Sequence, residues 1–178
     1  MGTRSSEHAL QAGVRTALTH IDAAGRARMV DVTQKPWTHR QATARCRVAL
    51  GEGGGTAARP DAAQPQPAGD RSWSEMLEVA RLAGIQAAKQ TSRLIPLCHQ
   101  LTSCTVQVAL SVFGGVLEVE SHAEVIGPTG VEMEALTACA MAGLTLLAAL
   151  LPSHPEASIE ALALWEKSGG RSGTWIRA

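Results

Sequence analysis

The chain has 178 residues, 45 % of them hydrophobic, and its 16 basic and 16 acidic side chains give a formal net charge of zero. This length and composition are typical of one soluble domain with its own core. The neutral balance excludes the basic surface of a general nucleic-acid-binding protein, so an anionic ligand would require a local group of cations.

Two regions of the chain are predicted to lack regular structure. Residues 1–17 are polar and unpatterned, which predicts a flexible tail ahead of a single domain over residues 18–178. Residues 51–70 are rich in Gly, Pro, Ala and Gln, a composition that predicts a flexible insertion within that domain. Because the N-terminus has no apolar signal-peptide core and the four cysteines form no CxxC pair, we expect a cytoplasmic location and reduced thiols.

The first predicted elements of the domain are a weak strand candidate over residues 45–50 and a helix. Ser72 and Glu75 match a capping box, and the apolar residues that follow recur at helical spacing. This pattern predicts a helix that ends near Gln90.

The middle of the chain predicts a β-hairpin. Apolar and polar residues alternate over 104–112, and the glycines at 114–115 are suited to a tight turn into a returning strand at 117–120. A weaker strand candidate spans residues 158–166 near the C-terminus. With a second helix between these strands, the order predicts an α+β fold, namely a ferredoxin-like antiparallel sheet with both helices packed on one face.

The second predicted helix begins near Thr129 and runs to Leu151, with Glu132 and Glu134 in its first turn and no charge after them. Glu132 stands three residues after Thr129 and is therefore a candidate for half of a capping box, while Glu134 complements the helix dipole. The alternative is a pair of active-site carboxylates at a buried helix start. The uncharged run is short for a membrane span and contains Thr and Gly, so it predicts a buried core helix.

His99 follows the apolar segment 94–98. A histidine there is either a hydrogen-bonded core residue or a group that transfers protons near neutral pH. Cys98 beside it suggests a metal pair, but adjacent residues rarely ligate one ion and no second pair has suitable spacing. We therefore expect no metal site.

The segment KSGGRSG at residues 167–173 combines two cations, Lys167 and Arg171, with three glycines whose backbone N–H groups can approach an anion. The order differs from a Walker A loop, where the lysine follows the last glycine. The alternative to an anion-binding loop is a flexible C-terminal tail. Further cations that could line a pocket are Lys35, Arg40 and Lys89.

Five blocks of sequence, taken together and in this order, resemble one enzyme family. They are LTHIDAAGRARMVDV from Leu18, ARLAGIQAAK from Ala80, LIPLCH from Leu94, TGVEMEALT from Thr129 and EKSGGRSG from Glu166. The family is cyclic pyranopterin monophosphate synthase of molybdenum cofactor biosynthesis, called MoaC.

The resemblance implies a function and an assembly. The reaction is a lyase reaction that rearranges a 3',8-cyclised dihydroguanosine triphosphate to cyclic pyranopterin monophosphate and releases diphosphate, without a cofactor. The assembly is a homohexamer built from dimers, with the active site at the dimer interface, and no nucleic acid or membrane takes part. Matched residue by residue, the resemblance implies catalytic roles for His99, Glu132 and Glu134, and substrate contacts from Leu97, Cys98, His99, Met133, Glu134, Lys35, Lys167 and Arg171.

The chain departs from the family pattern at four positions, which makes it a divergent member. Ungapped matching places Ala148, Leu151 and Trp73 where the family has a catalytic Asp and two catalytic Lys residues, and Gln100 where it has a Pro. Three functions follow as alternatives. The chain is a working synthase in which other cations replace the missing groups, a catalytically inactive binding or assembly subunit, or an enzyme for another purine nucleotide. The candidate replacement cations are Arg71, Arg81 and Lys89.

Overall fold

The computed structural model describes residues 20–51, 71–113 and 116–178. Three predicted features therefore fall wholly or largely outside the described residues: the tail at 1–17, the insertion at 51–70 and the turn at 114–115. The structure does not test these three features, so each of them stays a prediction.

The chain divides into two compact units, one that ends at Gln34 and one that spans Lys35–Ala178. In the N-terminal unit, Ile21 and Ala27 form an isolated antiparallel bridge. The Asp22 carboxylate lies inside this bridge and accepts hydrogen bonds from two backbone N–H groups, each at 2.9 Å. The expectation of a single domain over residues 18–178 stays a prediction.

In the part of the chain that the structure describes, the larger unit holds a five-stranded sheet and three helices. In chain order its elements are β1 (Thr38–Ala49), α1 (Arg71–Ala88), α2 (Thr91–Leu94), β2 (Thr105–Phe113), β3 (Val116–Gly127), α3 (Glu132–Leu150), β4 (Ser158–Ser168) and β5 (Trp175–Ile176). The strand order is β2-β3-β1-β4-β5, and each neighbouring pair is antiparallel. This arrangement confirms the predicted ferredoxin-like α+β fold, with β5 and the short α2 as elements that the sequence analysis did not predict.

Strand β1 is twice as long as the candidate predicted for it, and it lies between β3 and β4. Residues 38–44 of the strand bury only the small side chains of Ala42 and Ala44, whereas residues 45–49 bury Cys46 and Val48. Short apolar side chains give a weak alternating signal. The sequence therefore predicted only the second half of the central strand.

Helices α1 and α3 pack on each other and on the same face of the sheet, with Gly84 at their contact. A Cβ atom at Gly84 would lie 2.8 Å from the Ala138 carbonyl oxygen and 3.2 Å from the Ala142 Cβ, so a larger residue would push the helices apart. The core consists mainly of Ala, Val and Leu. Its largest fully buried apolar side chains are Leu117, Leu146, Val48, Val119 and Val131.

Helix α3 begins later than predicted. Its N-cap is Val131, with no side-chain cap hydrogen bond, and the first helical residue is Glu132. The predicted capping box between Thr129 and Glu132 is therefore wrong. The Glu132 carboxylate instead accepts a hydrogen bond from Lys167 Nζ, at the end of β4, at 3.1 Å.

Among the described residues, α3 is the helix with the length and apolar composition of a membrane span. Nine of its residues are buried within the subunit, on the side that packs on β1, β3 and α1. A core helix of a globular protein has these same properties, and the packing of α3 fits the predicted buried core helix.

Candidate active site

Glu134 lies at the start of α3 and lines a cavity of about 450 Å³. It is only 6 % exposed. His99, Lys89 and Cys104 line the same cavity, so an acid, an imidazole, an amine and a thiol meet in one place. The remaining lining residues come from the end of α1, from α2 and from β2 with the loop before it: Ala88, Thr91, Ser92, Gln100, Leu101, Thr102, Ser103 and Val106.

Burial raises the pKa of Glu134 to about 7, and the negative charge of Glu132 adds to this shift. The backbone N–H of Glu134 itself opposes the shift by stabilising the carboxylate. A carboxyl group with a pKa near 7 holds a proton about half of the time at neutral pH, so it can both accept and donate one.

The two thiols near this carboxyl group stay protonated at neutral pH. Burial raises the pKa of Cys104 to about 11 and also raises the pKa of Cys98, and the charge of Glu134 contributes to both shifts. A thiol is a good nucleophile only as the thiolate. Cys98 and Cys104 are therefore suited to apolar contact or weak hydrogen bonds and not to covalent catalysis.

A strained turn precedes His99. Leu97 has a φ of 63°, which is unusual for a residue with a branched side chain, and the Cys98 N–H donates to the Ile95 carbonyl oxygen at 3.3 Å. Such strain persists only where surrounding contacts fix the backbone, and it is common at functional sites. In this turn Leu97, Cys98 and His99 are all half-buried.

A second cavity, of about 750 Å³, is lined by three cations: Lys35, Arg40 and Arg171. The other lining residues are Pro36, Thr38, Gly170 and Ser172. Two guanidinium groups and one ammonium group in a single concave surface are suited to a phosphate or carboxylate group. The segment 167–173 thus supplies one cation, Arg171, to this cavity. Its interpretation as an anion-binding loop stays a prediction.

Glycines allow the loop after β4 to pass over the start of β1. Gly169 and Gly170 have φ values of 93° and 67°. A Cβ atom at Gly169 would collide with the His39 carbonyl oxygen, and one at Gly170 would collide with the Arg40 guanidinium group. Arg40 Nε donates to the Gly127 carbonyl oxygen at 3.0 Å, which fixes the guanidinium group in this cavity.

Lys167 and Glu132 form an ion pair at 3.1 Å, with about a third of each side chain exposed. The pair joins the end of β4 to the first turn of α3, two residues before Glu134. It leaves Lys167 outside the residues that line the cationic cavity.

The structure thus divides the predicted site residues into groups. His99 and Glu134 line the first cavity, and Lys35 and Arg171 line the second. Three others, Leu97, Cys98 and Met133, are half-buried near these residues in the chain but line neither cavity. Lys89 and Arg40, which were predicted only as cations that could line a pocket, each line one of the two cavities. Sequence reasoning missed three residues of the first cavity, Cys104, Thr91 and Ser92, because no pattern distinguished them from ordinary core or loop residues.

Of the four positions that depart from the family pattern, Gln100 lines the cavity of Glu134, and the other three lie elsewhere in the fold. Trp73, in the first turn of α1, packs against the core, and Ala148 and Leu151 are exposed at the end of α3. Because Ala148 follows Glu134 by 14 residues, the two are roughly 21 Å apart along the helix. Of the candidate replacement cations, Lys89 lines the cavity of Glu134, while Arg81 pairs with Glu78 at 3.1 Å.

Within the described ranges no group of three His, Cys, Asp or Glu side chains converges in a way that would hold a metal ion. The expectation that the chain has no metal site stays a prediction, as does the expectation that it needs no cofactor.

Comparisons with known proteins agree with the sequence resemblance. The MoaC family profile matches residues 29–170. A protein of Thermomicrobium roseum named cyclic pyranopterin monophosphate synthase is 48 % identical over 162 residues, which are 90 % of this chain and 93 % of the relative. Proteins with the same name are 44 % identical in Roseiflexus sp. (89 % of this chain, 97 % of the relative) and 44 % identical in Chloroflexus aggregans (90 % and 93 %). The chain belongs to the MoaC family.

Proposed function

We propose that the chain is a cyclic pyranopterin monophosphate synthase of molybdenum cofactor biosynthesis. Its substrate is the 3',8-cyclised dihydroguanosine triphosphate, which it rearranges to cyclic pyranopterin monophosphate with release of diphosphate. The observation that carries this proposal is the cavity in which Glu134, with a pKa raised to about 7, meets His99 and Lys89. The names of the relatives support the choice of reaction.

The Glu134 cavity is where the rearranging part of the substrate binds. Ring opening and ring closure move protons between carbon, nitrogen and oxygen atoms, and each proton needs a group that can release or accept it near neutral pH. Glu134 and His99 supply such groups. Lys89 in the same cavity supplies the positive charge that the family places on other lysines, and it stabilises negative charge on a reacting oxygen.

The cationic cavity is where the triphosphate binds. Arg40 and Arg171 offer planar guanidinium groups that can contact two phosphate oxygens at once, and Lys35 adds a point charge. Glu132 and Lys167 act between the two cavities: the ion pair orients the first turn of α3, and it opens when a phosphate competes for the ammonium group.

The assembly is a homohexamer of dimers, in which the neighbouring copy contributes to the site. Several large apolar side chains on the helix surfaces are exposed, as expected of a surface that another subunit covers. These residues are Val79, Leu82, Leu144 and Leu151.

A second candidate function is a catalytically inactive subunit that binds the nucleotide or an active family member. The observation in its favour is that Trp73, Ala148 and Leu151 cannot transfer protons, and that Trp73 contributes to the core instead. Nothing in the described residues favours the third alternative, an enzyme for another purine nucleotide.

The test is turnover by the purified chain. The cyclised triphosphate is mixed with the protein, released diphosphate is measured with a coupled assay, and the product is identified by mass spectrometry. We expect diphosphate and cyclic pyranopterin monophosphate in equal amounts.

Absence of diphosphate under conditions in which the Thermomicrobium roseum relative turns over would contradict the proposal. Titration calorimetry with the same substrate then separates the remaining alternatives. Binding without turnover supports an inactive subunit. Absence of nucleotide binding, together with absence of binding to an active family member in a pull-down, removes both candidate functions.

A further inference from the structure

Two cysteines outside both cavities face each other in the core. Cys46 lies in β1 and Cys139 in α3, 93 residues apart in sequence, and they are 2 % and 0 % exposed. Each points to the interface between the helix layer and the sheet. This pair has no place in the proposed synthase reaction.

Each of the two sulfur atoms donates a hydrogen bond to a nearby backbone carbonyl oxygen. Cys46 Sγ donates to the Cys139 carbonyl oxygen at 3.7 Å, and Cys139 Sγ donates to the Val119 carbonyl oxygen at 3.6 Å. Val119 is the cross-strand partner of Cys46, so both sulfur atoms lie beside the same pair of strand residues. The interaction between the two side chains lowers the pKa of Cys46 and raises that of Cys139.

Gly143 leaves the space that brings these thiols together. It lies one helical turn after Cys139, and a Cβ atom there would lie 3.2 Å from Cys46 Sγ. That separation is tighter than ordinary packing between a carbon and a sulfur atom, so a side chain at this position would move Cys46 away from α3. The cysteine side chain instead reaches the helix backbone directly.

We propose that Cys46 and Cys139 are a modification site at which an intramolecular disulfide links β1 to α3. The link tethers the central strand to the helix that carries Glu134. The oxidant is a peroxide, and the pair is reduced again by a small-molecule thiol.

The oxidation proceeds in two steps. The Cys46 thiol loses its proton and the thiolate attacks hydrogen peroxide. The O–O bond breaks, the leaving hydroxide takes up the proton that Cys46 lost, and a sulfenic acid and one water molecule result. The Cys139 sulfur then attacks the sulfenic sulfur, the S–O bond breaks, and a second water molecule leaves with the Cys139 proton. In total the two thiols lose two electrons and two protons, and the peroxide becomes two molecules of water.

The sequence permits an unambiguous test by peptide mapping. Cleavage after glutamate gives a peptide over residues 8–52 that contains only Cys46, and one over 135–156 that contains only Cys139. Cys98 and Cys104 fall together in a third peptide over 79–118. The purified full chain is freed of reductant, treated with hydrogen peroxide under native conditions, alkylated, and digested without reduction.

We expect the 8–52 and 135–156 peptides to be joined, with a mass two hydrogen atoms below their sum, and to separate after reduction. We also expect the melting temperature of the oxidised chain to rise by roughly 5–15 °C, because the link closes a long loop in the unfolded state. Cys46→Ser and Cys139→Ser each remove the cross-link and the rise, while the double variant Cys98→Ser, Cys104→Ser keeps both.

Three results would overturn the proposal. The first is that Cys46 and Cys139 form disulfides only with the 79–118 peptide, and the second is that Cys46 becomes a sulfinic or sulfonic acid and forms no disulfide. The third is that Cys46 and Cys139 stay unreacted after the thiols of the 79–118 peptide have been oxidised. Where a serine variant does not fold, the corresponding Cys→Ala variant replaces it. The peptide map of the unaltered chain decides the outcome in either case.

Discussion

The two ends of α3 differ in chemistry although they belong to one continuous helix. Its start carries Glu132 and Glu134 and lies beside His99 and Lys167, whereas its end carries Ala148 and Leu151. The start is buried among groups that titrate or bear charge, and the end is exposed and apolar. Only the start of the helix therefore carries groups suited to proton transfer, and the other end provides surface.

The largest loss of activity is expected from substitution of His99, which lies beside the start of α3. We expect His99→Gln to lower kcat/KM for diphosphate release by about 10²- to 10⁴-fold, since it removes a group that transfers protons. His154→Gln is the matched control, because His154 lies just after the far end of α3 and its ring contacts Ser153 Oγ at 2.9 Å. Equal losses in both variants, measured at the same pH, would show that the two ends do not differ as described.

The Glu134 carboxyl group is expected to make the free energy of unfolding depend on pH. The pKa of Glu134 is raised from 4.5 to about 7 in the folded chain, so between these values the folded state binds more protons than the unfolded state. Stability from this group is therefore full below about pH 4.5 and is lost as the pH rises through 7, by up to about 3 kcal/mol.

Denaturant unfolding at pH 5, 6, 7 and 8 measures this slope. We expect Glu134→Gln to remove it, because the amide does not titrate, while Glu160→Gln, at an exposed position on β4, leaves it intact. An unchanged slope in Glu134→Gln would place Glu134 in a solvated environment and would weaken its assignment to proton transfer.

A smaller effect is expected in the loop after β4. Gly170→Ala places a methyl group against the Arg40 guanidinium group and should raise KM about tenfold, which corresponds to the loss of one charged hydrogen bond to the substrate. Gly173→Ala is the control, since Gly173 also has a positive φ, 64°, but nothing lies within 4 Å of the added atom. Both variants carry the strain of a left-handed backbone at Ala, roughly 1–2 kcal/mol, so a similar KM in the two would argue against a role for Arg40.

The smallest effect is expected at the far end of α3. The double variant Ala148→Asp, Leu151→Lys restores the charged residues of the family pattern. We expect kcat/KM to change by less than about tenfold, because proton transfer in this chain depends on groups at the other end. Activity that appears only in the double variant would identify the unaltered chain as an inactive subunit.

The fold could be predicted from the sequence wherever large apolar side chains alternate or recur, as in β2 and in α3. It could not be predicted where alanines fill the core, so the first half of β1 was missed. The start of α3 was predicted wrongly because Glu132 pairs with Lys167, 35 residues away, instead of capping its own helix. A local pattern contains no information about such a distant partner.

The candidate site was predicted as a set of residues but not as an arrangement. The sequence indicated His99 and Glu134, which share a cavity, but it did not separate them from Lys35 and Arg171, which line another. It also did not indicate Cys104, since a single cysteine at the start of a strand is typical of a core position. Which residues share a cavity depends on where β1, the turn before His99 and the loop after β4 meet, and that depends on the packing of the whole fold.

The most direct test of the account is diphosphate release by the unaltered chain and by Glu134→Gln, measured on the same cyclised triphosphate, with calorimetric binding recorded for both. We expect turnover by the unaltered chain and a rate of diphosphate release at least about 100-fold lower in Glu134→Gln. We expect Glu134→Gln still to bind the substrate through the cationic cavity. Equal turnover in the two proteins would contradict the claim that the start of α3 is the catalytic centre.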